Sequence, residues 1–539
     1  MAKIINKNNI IFSLITGIVP ALFTIVGYVV KHEHGLAFSL PYIGFFILIW
    51  LAFSALSYLV YGLSDCDWKR VKSGETSISI NKKKEHGSAL VFWISFAVLM
   101  IIWTPSFLAF YPGIFAYDNQ WQYFMYVTDE INTHQPLMHT LILGFIISKV
   151  LKLTGSINKG VALYTLFQMI LMGLGLAYIP YLLKRKAMHI AWIIFSVLFF
   201  ALYPVIVIFV FTGTKDSLFS VAVVDFIALN FYLLSEKNES FFVKKYEAVL
   251  WAILSFVMLT FRGNTMYALI PIFALIVIYV VRHCKKKKTL FISLVLTLSI
   301  FFVFKYPITN MLVKEYGPKS EMMSVPCQQL SRIYHYHYNE LDKGDIGTYD
   351  ALFDPILFSD YYVPEIADAS KGSLRMEVYE NQKSDYWKLW FKWFKEYPKE
   401  YVDSILENTY GYFYMWPSYV LHSYGRTGYT VIHCMAPAEP NSKIPALYNF
   451  YEQFEDGDIV MRNGLVSWVF APATYLIISY ICIMYVVKNK RWKLMIPFLF
   501  LFLLWGTFLL GPVALVRYNL FFYMLVPFWP MVFKVSKDN

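Results

Sequence analysis

Charge is scarce in this sequence. Only 15% of the 539 residues are Asp, Glu, Lys or Arg, against 58% hydrophobic and 19% aromatic residues. A soluble domain carries about a quarter charged residues, so the composition argues against a water-soluble chain. Cysteine is also sparse. The five cysteines (Cys66, Cys284, Cys327, Cys434, Cys482) form no CxxC pair, which excludes a disulfide scaffold. Cys327 and Cys434 fall in one polar segment and could pair if it is extracytoplasmic; two free thiols fit as well. There is no Walker loop, no glycine-rich dinucleotide turn, no HExxH and no Ser-His-Asp arrangement, so a nucleotide-dependent soluble activity has no support. Repeats and low-complexity linkers are absent too.

What the sequence has in abundance is apolar runs of about 20 residues, the length that crosses a bilayer. Spans are expected near 10–30, 39–62, 89–110, 160–183, 188–211, 216–234, 247–261, 266–282, 289–308, 465–487, 493–511 and 518–534. The first span is too long for a signal-peptide core and is expected to be retained. The net charge is +11, yet the sign is uneven. Residues 309–464 hold 22 acidic and 14 basic residues, and the rest holds 14 acidic and 33 basic. In a membrane protein basic excess marks cytoplasmic loops, not nucleic-acid contact. With Lys69-Arg70 and Lys82 to Lys84, Lys184 to Lys186, Lys244-Lys245, Lys285 to Lys288 and Lys488 to Lys493 inside, both termini are cytoplasmic. Leu137 to Leu153 is then re-entrant or interfacial on the outer side; the alternative is that it spans and one basic loop breaks the rule. The expected fold is an all-α polytopic membrane protein of about twelve transmembrane helices, with outer interfacial helices and a mostly helical extracytoplasmic domain. It divides into a transmembrane region (1–308) whose first outer loop is 111–159, the extracytoplasmic domain (309–464) and C-terminal helices (465–539). Trp387, Trp390, Phe391 and Phe394 follow helical spacing, which suits either a headgroup-level helix or packing inside the domain.

Polar side chains at the edge of such a body are costly and tend to mark a site. After Tyr111-Pro112-Gly113 come Asp118 and Gln122, then His134 and His139. The Asp118 carboxylate could take a proton from a hydroxyl nucleophile or hold a cation, or simply cap a helix. Lys215-Asp216 opens the next outward-facing helix, where an acid also caps well. Arg262 and Arg517 lie at span ends on the same side. Guanidinium groups grip phosphate, although a snorkelling arginine is common. His134 and His139 could ligate a metal or shuttle protons, with no clean ligand set beside them. Gln120, Gln122, Gln328 and Gln329 offer amides to sugar hydroxyls.

The Asp118 loop with Gln122, His134-x-Pro136 with Thr140, Thr214-Lys215-Asp216, Arg262-x-Asn264, Ser324 to Gln329 with Arg332, and Gly511-Pro512…Arg517-Tyr518 together resemble the GT-C superfamily of glycosyltransferases. More narrowly, they resemble a little-characterised bacterial multipass family related to it. The resemblance implies a GT-C-like fold in the bacterial cell membrane and a polyprenyl-(pyro)phosphate sugar donor. It implies transfer to an envelope glycan or lipid on the extracytoplasmic side. Asp118 would activate the acceptor or organise the site, Asp216 would be a second acid, and Arg262 and Arg517 would meet the lipid phosphate, with Lys215, Asn264, Gln328, Gln329 and Arg332 as further binding residues. Asn119, not a second acid, follows Asp118, so a divalent cation stays an open question. Two other classes remain: a transporter or flippase of lipid-linked glycans, against which the absence of an internal repeat counts, and an envelope assembly protein without activity.

Overall fold

The computed structural model describes residues 7–65, 77–115, 118–236, 239–317, 319–354, 362–416, 435–455 and 464–537. Cys66, Lys69-Arg70 and Cys434 lie outside the described residues, and with Cys434 the pairing to Cys327. The first half runs through thirteen helices: α1 (Lys7–Glu33), α2 (Leu40–Asp65), α3 (Ser77–Ala109), α4 (Asp118–Val127), α5 (Leu137–Thr154), α6 (Ile157–Leu176), α7 (Tyr178–Arg185), α8 (Ile190–Leu202), α9 (Pro204–Phe211), α10 (Lys215–Ser235), α11 (Lys245–Phe261), α12 (Thr265–His283) and α13 (Lys288–Val303). Helices dominate the described residues, which contain no strand beyond isolated bridges.

Eight of the described helices are long and apolar enough to cross a membrane, or nine if the bent pair α8–α9 is one span, which points to a multi-pass membrane protein. Pro204, lacking an N–H, starts α9 after a 56° bend. Of the other expected spans, α11 and Pro472–Lys488 are 17 residues long, and 518–534 breaks into short helical pieces. An apolar run can be long in sequence and still hold a break, and hydropathy alone does not see it. α5, expected to be re-entrant or interfacial, is one continuous 18-residue helix, long and apolar enough to cross a membrane. It turns into α6 through Gly155, whose φ of 68° is the left-handed cap that glycine adopts without strain.

The fold is organised around α10. Its apolar stretch is buried throughout, surrounded by α6, α7, α11, Ile496–Phe508 and Leu520–Met524. A helix hydrophobic all round belongs at such a centre. α1 and α2 form a close pair: a Cβ on Gly17 would meet the Trp50 carbonyl and Ser54 nitrogen at 2.9 Å, the close backbone approach that small residues permit. α2 leaves Leu48, Leu51, Leu59 and Leu63 at least half exposed, as a lipid-facing helix would.

The polar segment has its own core, including Cys327, Leu330, Ile333, Tyr349, Phe353, Tyr386 and Trp393. On its aromatic helix Lys383–Glu396 the buried side is Tyr386, Leu389 and Trp393, one register away from the expected stripe. Trp393 Nε1 donates to Asp345 Oδ2 at 3.1 Å, which fixes that face inward. Trp390 donates to Gln329 Oε1, while Phe391 and Phe394 are left exposed.

Candidate functional site

Four chain segments meet at one end of α10. α3 ends at Ala109, and Gly113 N–H closes the turn on Phe110 O at 2.7 Å. Ile114 N–H then donates to Phe211 O at 2.9 Å, and Gly213 N–H donates back to Ile114 O at 3.1 Å. These bonds stitch the segment leading to α4 onto the segment leading to α10, so Asp118 and Lys215-Asp216 arrive side by side. The turn depends on Gly113. Its φ is +133°, and a Cβ there would stand 2.0 Å from Thr165 Oγ1. Gly113→Ala is therefore expected to cost about 2 kcal/mol or more, from backbone strain plus overpacking. Thermal unfolding of the detergent-solubilised protein checks this, and an unchanged midpoint would count against the turn as the organiser of the site.

Asp118 stands at the N-terminus of α4, where a negative charge complements the helix dipole. Its Oδ2 faces Lys215 Nζ at 3.1 Å and Arg517 Nη1 at 3.2 Å. Its Oδ1 accepts from Gln135 Nε2 at 3.2 Å, and Lys215 Nζ donates to Gln135 Oε1 at 2.6 Å. Asp216 Oδ1 accepts from Arg262 Nε at 2.7 Å, with Nη2 of the same guanidinium also against it. Asp216 Oδ2 lies 3.6 Å from Arg517 Nε, and neither atom has a hydrogen-bond partner among the described residues. Tyr518 lies between the arginines: its ring centroid is 4.5 Å from the Arg262 guanidinium and 5.1 Å from that of Arg517. The exposed fraction of the five charged side chains runs only from 1% to 19%. Burial by itself would raise the Asp118 carboxyl, but Lys215, Arg517 and Arg262 outweigh it and hold Asp118 well below the usual carboxylate range.

The charge does not balance. Among the described residues, Lys215, Arg262 and Arg517 face Asp118 and Asp216, one positive charge in excess among side chains that are largely buried. A buried charge without a counter-ion is expensive, so the arrangement favours an added anion. A divalent cation would have to displace Lys215, Arg262 or Arg517, and the described residues gather no group of three His, Cys, Asp or Glu side chains. The described residues of this cluster do not fit a metal.

A neutral polar layer lies behind. His139 Nδ1 is 2.9 Å from Gln122 Oε1, which can only accept, so that nitrogen carries a proton. Its Nε2 faces the Tyr164 hydroxyl at 2.7 Å. Gln122 Nε2 donates to Thr140 Oγ1, and Gln168 Nε2 donates to Val210 O and Thr212 O. This network anchors α4, α5 and α6 to the segment entering α10.

The expected site residues thus separate. Asp118, Lys215, Asp216, Arg262 and Arg517 come together, with Gln122 and His139 one layer behind. Asn264 bonds Thr507 Oγ1 at 2.7 Å and holds the Arg262 turn. His134 turns away, its ring 3.8 Å from Glu321. Gln328, Gln329 and Arg332 lie within the polar unit and are consumed there. Gln328 bonds Val363 O and Ser370, Gln329 bonds Tyr401 O and Trp390, and Arg332 bonds Glu400 and Tyr362. Three residues were not singled out from the sequence: Gln135, Tyr164 and Gln168. Gln135 stands between His134 and Pro136, and Tyr164 and Gln168 are polar groups four apart in a largely apolar helix; those were the available signals.

One family model, described as a family of unknown function (DUF6020), matches residues 124–539. The chain belongs to this DUF6020 family. The match takes in Lys215, Asp216, Arg262 and Arg517 and begins six residues after Asp118. No curated protein and no solved structure matches the chain.

Proposed function

We propose that this DUF6020 protein is a membrane glycosyltransferase of GT-C type. It would take a sugar from a polyprenyl-(pyro)phosphate donor and pass it to a cell-envelope glycan or lipid. The observation that carries this reading is the uncompensated positive charge of Lys215, Arg262 and Arg517 at the end of a bundle of apolar helices. A phosphate on a lipid tail answers both features, since the tail partitions into the bilayer and the headgroup neutralises the surplus. In this reading the chain has about twelve spans in the bacterial cell membrane, both termini are cytoplasmic, and the Asp118 cluster and the 309–464 unit lie outside.

The reaction is displacement at the anomeric carbon. The acceptor oxygen forms the new bond, the bond from that carbon to the phosphate oxygen breaks, and its electron pair stays on the phosphate. Arg262 and Arg517 stabilise the charge that grows there. Asp118 takes the hydroxyl proton. At rest Asp118 is too strongly ion-paired to be a good base. An entering phosphate competes for Lys215 and Arg517, which frees Oδ2 and raises its proton affinity, so the base is switched on by its substrate.

Purified protein in vesicles containing a polyprenyl phosphate with a labelled sugar tests the proposal. Release of the free polyprenyl phosphate, with the label on an acceptor, is expected. Movement of intact labelled lipid across the bilayer without cleavage would replace the transferase by a flippase.

A further inference from the structure

Arg517 is carried on a segment that the polar unit grips. The stretch 511–515 joins Ile496–Phe508 to the turn Val516–Tyr518. Ala367 N–H donates to Pro512 O at 2.7 Å, and Ile366 pairs with Val513 in an antiparallel bridge. Asn408 Nδ2 donates to Gly511 O at 2.8 Å, and the Tyr412 hydroxyl donates to Val513 O at 3.1 Å. Val513 and Leu515 pack with Ile366 and Tyr518. Asn408 and Tyr412 are buried, so these bonds have little competition from water. Arg517 meets both Asp118 and Asp216, the one described residue of the cluster with an ion pair to each.

We propose that the polar unit sets the anion site through this strap, with Asn408 and Tyr412 as positioning residues for Arg517. Their side-chain hydrogen bonds go to Gly511 O and Val513 O and not to the charged groups, although Tyr412 lies within electrostatic reach of Arg262, Arg517 and Tyr518. Each fixes a carbonyl whose place decides where the following turn, and hence the guanidinium, stands. The coupling is reciprocal by linkage: an anion on Arg517 strengthens the grip of the polar unit, and a loosened grip weakens the anion. The binding arm of the test rests on the phosphate reading above; the arginine arm does not.

Full-length protein in lipid nanodiscs is compared as wild type, Asn408→Ala and Tyr412→Phe. The first readout is the rate of phenylglyoxal modification at Arg517 relative to Arg262, mapped by mass spectrometry. A rise at Arg517 alone is expected in both variants; equal rates in wild type and both variants would overturn the proposal, and a rise at both arginines, which reports general loosening, would overturn it too. The second readout is the affinity for farnesyl phosphate, expected to weaken about tenfold, within the usual range of coupling between sites. Faster Arg517 modification with unchanged affinity would also overturn it. If wild type binds no farnesyl phosphate, the phosphate reading fails and the arginine arm still decides the strap.

Discussion

Asp118→Asn is expected to stop sugar transfer, by about a thousandfold if proton removal is its role, while donor binding is kept or tightened. The two effects separate because the substitution keeps the shape and removes the charge. Lys215 and Arg517 lose the carboxylate they share, so the surplus positive charge grows and a phosphate becomes a better partner. A merely structural Asp118 would give the opposite pairing, with binding and insertion lost together. The measurement is single-turnover transfer beside equilibrium binding of the polyprenyl phosphate. An active Asp118→Asn protein removes the residue from the chemistry.

The charged cluster was legible in the sequence because an apolar chain makes polar residues conspicuous. Asp118, Lys215-Asp216, Arg262 and Arg517 each stand where an apolar run ends, and sidedness from the basic loops put them on one face. The amides were not legible in the same way. Gln328 and Gln329 have the right chemistry for a sugar, but backbone carbonyls of Val363, Pro364 and Tyr401 absorb it. A buried donor takes whichever acceptor folding brings to it, and those acceptors are 35 to 72 residues away. Arg332, expected among the further binding residues on the resemblance, is consumed in the same way. Yet the sequence did hold a signal: Glu400, Asp403 and Glu407 follow i, i+3, i+7 spacing on one helix, a carboxylate face that asks for a cation. Helix continuity was the other gap, since Pro204 and the breaks after residue 518 interrupt runs whose hydropathy is unbroken.

Arg332→Met is expected to destabilise the polar unit by about 3–5 kcal/mol, the usual cost of removing one partner from a buried ion pair. Arg332 Nε donates to Glu400 Oε2 at 2.6 Å, Nη1 to the Tyr362 hydroxyl at 3.0 Å, and Nη2 to His34 O at 2.6 Å, with Glu407 in close contact and Asp403 at 3.9 Å. The same guanidinium thus ties the helices of the polar unit to the turn between α1 and α2, where Leu36 N–H also donates to Asp403 Oδ1. Without it, the carboxylates of Glu400 and Asp403 and the buried carboxyl of Glu407 lose the cation they share. The pH dependence follows from Glu407. Burial pushes its carboxyl up to about 7, against the pull of Arg332 and Tyr362 and with help from nearby Glu365. The folded state therefore keeps a proton that the unfolded chain gives up near 4.5. The resulting stability is complete below 4.5 and disappears as pH rises through 7, with a slope of at most about 1.4 kcal/mol per pH unit for one proton. Glu400 is shifted downward, because Arg332 and His337 outweigh its burial, so its contribution is lost only in acid. Unfolding midpoints should thus fall between pH 4.5 and 7 in wild type, level off above that, and stay flatter in Glu407→Gln. A wild type that gains stability over that interval would mean the joint is held by ionised Glu407, not by its proton.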